Sequence, residues 1–253
     1  MCLILFSWKN HPDYELIIAA NRDEFYSRKT AKAHFWQDHS EVLAGRDLKA
    51  GGTWMGITKS GRFTAITNYR NPQLRRENSL SRGFLTRNYL VQEESPPEYL
   101  QLIRRDRDEY LGFNLLVGNQ QELWYYNNIS DKIIELKPGN YTLSNAFLNT
   151  SWPKTDLGRV LFESKLKNGV EEEEFFDMLK TRTRPEDESL PKTGVTIELE
   201  RAISPIFIET ESYGTCSSSL LRVGTNREVK FTELTHVNSD QKNNLTSFQF
   251  KIS

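Results

Sequence analysis

Two unbroken apolar runs near the start of the chain, Leu3 to Trp8 and Tyr14 to Ala20, constrain its fold more than any other feature. Lys9-Asn10-His11-Pro12-Asp13 between them has the composition of a turn, with proline where no ladder donor is needed. The pair reads as a β-hairpin. Apolar residues follow one another in both strands instead of alternating, so both faces of their sheet have to be covered. A chain of 253 residues, 37% of them hydrophobic, is long enough to supply such a core.

The same signals recur downstream. Thr53 to Thr58 and Arg62 to Thr67 form a second hairpin around Lys59-Ser60-Gly61, and Phe113 to Gly118 pairs with Glu122 to Asn127. Ile133 to Leu136 and Tyr141 to Ser144 are further strands. Ser81 is the expected N-cap of a helix through Leu90, with Phe84, Leu85 and Tyr89 as its buried stripe. Other helices are expected from Pro97 to Asp108, Asp156 to Leu166 and Glu171 to Lys180. The last opens on an acidic run that suits the helix dipole. Thr183 to Lys192 reads as an exposed loop. Strands are expected to resume from Ile203, with a last hairpin of Leu220 to Val223 and Val229 to Phe231. This order predicts a single layered α+β domain over residues 1–253.

Charge and composition narrow the partners. The formal net charge is −1 and no large basic block occurs, which argues against nucleic acid. Arg75-Arg76 reads as a solvated loop. The opening apolar run lacks a basic flank and is too short for a signal core or a membrane span, so a cytoplasmic chain is expected. Cys2 and Cys216 are the two cysteines and make no disulfide framework. The four histidines, His11, His34, His39 and His236, lack the spacing of a metal site, with His34 and His39 in a loop-like stretch.

Cys2 brings in chemistry. If the initiator methionine is removed, one residue carries a thiol and a free α-amino group that titrates near pH ~8, a nucleophile beside its own base. A turn near His11 sets residue i opposite residue 22 − i, so Cys2 faces Ala20 and Asp23 falls just past the strand end, within reach of the amine. The second hairpin sets Gly52 opposite Asn68. If the two hairpins share a sheet, their open ends form one pocket. Cys2 would attack an amide or ester carbonyl, Asp23 would hold the amine, and Asn68 and Asn145 would donate to the oxyanion, where one donor is worth ~3 kcal/mol. Structural readings stand beside these: Cys2 as a small hydrophobe capping a buried strand, Asp and Asn as turn formers, Arg22 and Glu24 as a surface ion pair.

A string of short motifs resembles one family. They are Met1-Cys2, Asn21-Arg22-Asp23-Glu24, Ala44-Gly45-Arg46-Asp47, Gly51-Gly52-Thr53-Trp54-Met55-Gly56, Thr67-Asn68-Tyr69-Arg70, Leu143-Ser144-Asn145-Ala146, Trp152-Pro153-Lys154 and Tyr213-Gly214-Thr215. The pattern resembles the NRDE family, also called the Transport and Golgi Organisation 2 family. That family in turn looks like the N-terminal-nucleophile hydrolases of the penicillin V acylase and bile salt hydrolase branch. The resemblance implies a four-layer αββα sandwich, Cys2, Asp23, Asn68 and Asn145 as the catalytic set, and hydrolysis of a small-molecule amide. Asn21, Arg22, Glu24, Arg46, Thr53, Trp54, Tyr69 and Arg70 form the expected substrate-binding set. The branch has an arginine three residues before its aspartate, where this chain has Ala20. Many family members have arginine after Tyr-Gly-Thr, where this chain has Cys216. The family's associations with acyl-CoA and haem imply the alternative, a non-catalytic carrier with haem as cargo and no resident cofactor or metal.

Overall fold

The computed structural model of the chain describes residues 2–74, 79–236 and 244–253. Its first strands are β1 (Cys2–Trp8), β2 (Tyr14–Phe25), β3 (Thr30–Phe35), β4 (Val42–Asp47), β5 (Met55–Thr58) and β6 (Phe63–Asn68). Helices α1 (Gly83–Val91) and α2 (Pro96–Arg105) precede β7 (Phe113–Gly118), β8 (Leu123–Asn127), β9 (Lys132–Glu135) and β10 (Gly139–Leu143). Then come α3 (Pro153–Asn168), α4 (Glu172–Leu179), α5 (Ile197–Ile203), β11 (Tyr213–Gly224), β12 (Glu228–Thr235) and β13 (Leu245–Lys251). The class is α+β, and the contacts divide it into two compact units. One comprises Met1–Ser27 and Pro138–Gln249, the other Arg28–Lys137 and Phe250–Ser253.

The first unit is built on a sheet in the order β10-β1-β2-β11-β12-β13. Leu3, Leu5, Ile17, Ala19 and Leu220 on one face pack against Phe162 of α3 and Phe175, Phe176, Met178 and Leu179 of α4. The second unit is a meander, β3 to β9 in sequence order. Ile66, Phe113, Leu115, Val117 and Tyr126 on one of its faces bury Leu85 and Tyr89 of α1 and Tyr99, Leu100 and Ile103 of α2. The condition set for a single pocket, that the two hairpins share a sheet, is not met: they lie in different sheets. Each strand from β3 to β9 pairs with its sequence neighbour, which closes the meander around β5 and β6 and leaves no edge there for β1 or β2.

The first hairpin is shifted by two residues from its expected register: Cys2 pairs with Arg22, not Ala20. The cause is the turn. Lys9 takes a positive φ of 44°, and its N–H closes on Glu15 O at 2.8 Å, which centres the turn on Pro12 instead of His11. A shift of two keeps every side chain on its face. β2 also runs to Phe25, past the expected end at Ala20, because β11 pairs with it from Phe25 to Tyr14. Asn21 to Glu24 are thus strand residues, not a strand end.

Other expectations are corrected more simply. His34 lies in β3, not in a loop. The segment ending at Ile203 is a helix, capped where Leu199 N–H donates to Thr196 Oγ1 at 3.4 Å, and the strand resumes only at Tyr213. Helix α1 begins at Gly83 with Arg82 in the cap position, and Ser81 serves through its carbonyl, which accepts from Phe84 N–H. Phe84 is half-buried. Arg75-Arg76 falls outside the described residues. None of the described helices is long and apolar enough to cross a membrane.

Candidate active site

Register in the first unit assembles the site. Partners directly opposite in an antiparallel pair share a face, and successive residues alternate. Cys2 and Arg22 therefore lie on one face, whereas Asn21 and Asp23 lie on the helix-covered face with Leu3. Asn21 confirms the alternation: its Nδ2 donates to Leu179 O and Ile206 O, both at 2.9 Å. With both amide protons used, Asn21 Oδ1 accepts from Ser218 Oγ at 2.6 Å. Ser218 has one proton, so the 2.8 Å contact with His236 requires His236 Nε2 to donate. Burial first, then the charges of Lys180 and Arg182, hold His236 at a pKa of about 4, and the ring is neutral.

Asp23 is 2% exposed, and its Oδ1 accepts from Thr215 Oγ1 at 2.8 Å. Thr215 Oγ1 also accepts from Ile208 N–H at 2.9 Å, which fixes the hydroxyl. Burial raises the Asp23 carboxyl above its ordinary range, and the Lys154 ammonium is the strongest influence in the opposite direction. Lys154 is itself buried in the first turn of α3, with Nζ 3.3 Å from Ile203 O. Burial also pushes the Cys2 thiol up, with the Asp23 charge adding to it. The Arg22 guanidinium, opposite Cys2 on the same face, is among the groups that pull the thiol down.

Asn145 arrives from the other side of β1. Ile4 pairs with Leu143, so the chain leaving β10 passes Cys2. Ser144 Oγ lies 3.0 Å from Cys2 O and 3.3 Å from Asn145 Oδ1, which turns the Asn145 amide nitrogen the other way. Asn145 is fully buried.

Cys2, Asn21, Arg22, Asp23, Glu24 and Asn145 all belong to the first unit, with Cys2 and Arg22 on one face of its sheet and Asn21 and Asp23 on the other. Asn68, Arg46, Thr53, Trp54, Tyr69 and Arg70 belong to the second unit. Asn68 ends β6 opposite Phe113, followed by Tyr69, whose N–H donates to Gly112 O. Arg46 grips Asp38 with two hydrogen bonds of 2.6 and 2.7 Å, and its guanidinium lies 4.5 Å from the centre of the Trp36 ring. Thr53 is buried, donating to Met55 O and accepting from Thr86 Oγ1. Trp54 packs against the core beneath α1. Arg70 is half-buried. Lys154 and Thr215 were absent from the expected set. Their signals were present in Trp152-Pro153-Lys154 and Tyr213-Gly214-Thr215, but only the fold shows that both serve Asp23. Among the described residues, no three His, Cys, Asp or Glu side chains gather as a metal ion requires.

Comparison with known proteins agrees with this architecture. A mutant conjugated bile acid hydrolase from Clostridium perfringens superposes with a TM-score of 0.54 at 10% identity, covering 100% of this chain and 98% of that one. A likeness at that identity concerns the fold. By sequence, a Transport and Golgi organization protein 2 homolog from Bos taurus is 33% identical over 275 residues, covering 100% of this chain and 99% of its own length. A homolog from Mus musculus is 34% identical over 266 residues, covering 95% of both chains. The family profile described as Transport and Golgi organisation 2 matches residues 1–238, and the chain belongs to that family.

Proposed function

We propose that the chain is a cysteine hydrolase of the N-terminal-nucleophile type, acting on an amide or ester carbonyl, and the four-layer αββα arrangement is part of the same proposal. The observation that carries it is the β1–β2 register, which sets Cys2 opposite Arg22 and next to Asp23 in the ladder, with Thr215 hydrogen-bonded to the Asp23 carboxylate and Lys154 favouring its charged form. A thiol raised by burial rests protonated at neutral pH, so it needs a base at the moment of attack.

Removal of Met1 supplies that base. The Cys2 amine takes the thiol proton as sulfur bonds to the carbonyl carbon and the π electrons move to oxygen. Asn145 lies in the same unit as Cys2, and the role of oxyanion donor falls to it. Collapse breaks the bond to the leaving nitrogen or oxygen, which takes the proton back from the ammonium. Water then attacks the thioester, the amine accepts one of its protons, and the C–S bond breaks to return the thiol and an acid.

The test uses protein purified from its native host. Mass spectrometry is expected to find Met1 removed and, with N-acyl amides or esters, an acyl adduct on Cys2. Cys2→Ala should abolish turnover, and Asn145→Ala should lower kcat by about a hundredfold. Retained Met1 with full activity, or undiminished turnover by Cys2→Ala, overturns the reading. Tight binding of acyl-CoA or haem without any acyl adduct would make the chain a carrier instead.

A further inference from the structure

Arg22 carries a buried charge that the protein leaves largely unused. The residue is 7% exposed. Its one ion pair among the described residues, with Glu24 Oε2, spans 4.0 Å, beyond hydrogen-bond range, and its guanidinium donates no hydrogen bond among them. A guanidinium on a residue this buried, with no protein acceptor among the described residues, has its N–H donors to offer to a ligand.

The surroundings extend that observation. Cys2 pairs with Arg22, Arg22 with Ser217, and Ser217 with Thr235, so these four side chains form one row across β1, β2, β11 and β12 on a single face. In the next row on that face, Ser219 pairs with Ala20. Thr235 Oγ1 and Ser219 Oγ are buried, and neither has a hydrogen-bond partner among the described residues. Glu233, paired with Ser219, sets the far limit with a negative charge. Burial raises both thiols, Cys2 and Cys216, and the Arg22 guanidinium pulls both back, so its charge reaches each.

We infer that this face is an oxyanion subsite, in which Arg22, with the hydroxyls of Ser219 and Thr235, takes a carboxylate or phosphate group carried by the molecule that reacts at Cys2. A planar guanidinium matches either oxyanion with paired hydrogen bonds, and a neutral group would leave it unsatisfied. The inference gives the ligand of the proposed hydrolase a chemical class, and it rests on Cys2 as the reacting thiol.

Alkylation tests it without turnover. Iodoacetate and iodoacetamide differ by one charge. Each loses iodide as sulfur bonds to its carbon, and the thiol proton goes to solvent. Modification of Cys2, separated from Cys216 by peptide mass spectrometry, should favour iodoacetate in the native protein relative to the urea-unfolded chain by about tenfold. Arg22→Met should remove that preference and Arg22→Lys should keep part of it. In the unaltered protein, acetate or inorganic phosphate should protect Cys2 from iodoacetamide while acetamide does not, and the better protector identifies which oxyanion the ligand carries. Equal preference in native and unfolded protein, an unchanged preference in Arg22→Met, or a Cys2 that neither reagent reaches would each overturn the subsite. None of these results depends on hydrolysis, so an active subsite in a chain that turns nothing over would refute the hydrolase reading and leave the subsite standing.

Discussion

Asp23 is a carboxylate that burial drives toward its neutral form, and Lys154 is the residue that most opposes this. A carboxyl raised in the folded state stabilises the fold below its ordinary value of 3.8 and loses that contribution as pH climbs through the folded value. Lys154 limits the loss by favouring the charged form. Lys154→Met should therefore cost little near about pH 4 and progressively more toward neutrality, reaching about 3 kcal/mol. Urea denaturation across that range checks the sign. A gap between the two proteins that does not change with pH would mean that Lys154 contributes packing alone. The carboxylate itself was legible in the sequence from its place after Asn21-Arg22. Its supports were not, because Thr215 and Lys154 join it only through the β2–β11 pairing and the start of α3.

At the scale of elements, hairpins were the most readable part of the chain. The second hairpin has its expected register, with Met55 opposite Ala65 and Ile57 opposite Phe63. Its open end does not behave as the register implies. Ladder contact continues as far as Ile66 N–H to Trp54 O, and then Thr53 N–H turns to Gly83 O at the start of α1. Gly51-Gly52 is explained by that departure: Gly51 has a φ of 72°, and a Cβ on Gly52 would meet the Gly83 carbonyl carbon at 2.5 Å. This contact is tertiary, so no local pattern announces it. β3 and β13 were missed for a different reason, since their half-exposed, polar sequences lack a continuous apolar signal. Gly52→Ala should push α1 away from the β5 approach and destabilise the protein by about 2 kcal/mol, with the loss of hydrogen-exchange protection centred on Thr53 and α1. A melting temperature equal to that of the unaltered protein would show that backbone adjustment absorbs the methyl group.

For the molecule as a whole, the chain's path assigns its tail an unexpected role. The second unit takes almost all its residues from Arg28–Lys137, yet Phe250–Ser253 counts with it. Phe250 meets Phe35 of β3 edge-on at 5.7 Å, Ile252 is buried near Gly61, and Ser253 N–H donates to Lys59 O at 3.1 Å. The same strand, β13, begins as the edge neighbour of β12 in the first unit's sheet. Deleting Phe250–Ser253 separates these two attachments. The buried Ile252 side chain and the aromatic contact together predict a loss of about 3 kcal/mol, in the range of large-to-small core substitutions. Hydrogen exchange should show protection falling in β3 and in the Lys59–Gly61 turn, with β1, β2 and β11 unchanged. Exposure confined to β12 would instead mean that the tail serves as an edge strand of the first sheet, with its last residues adding nothing to the meander.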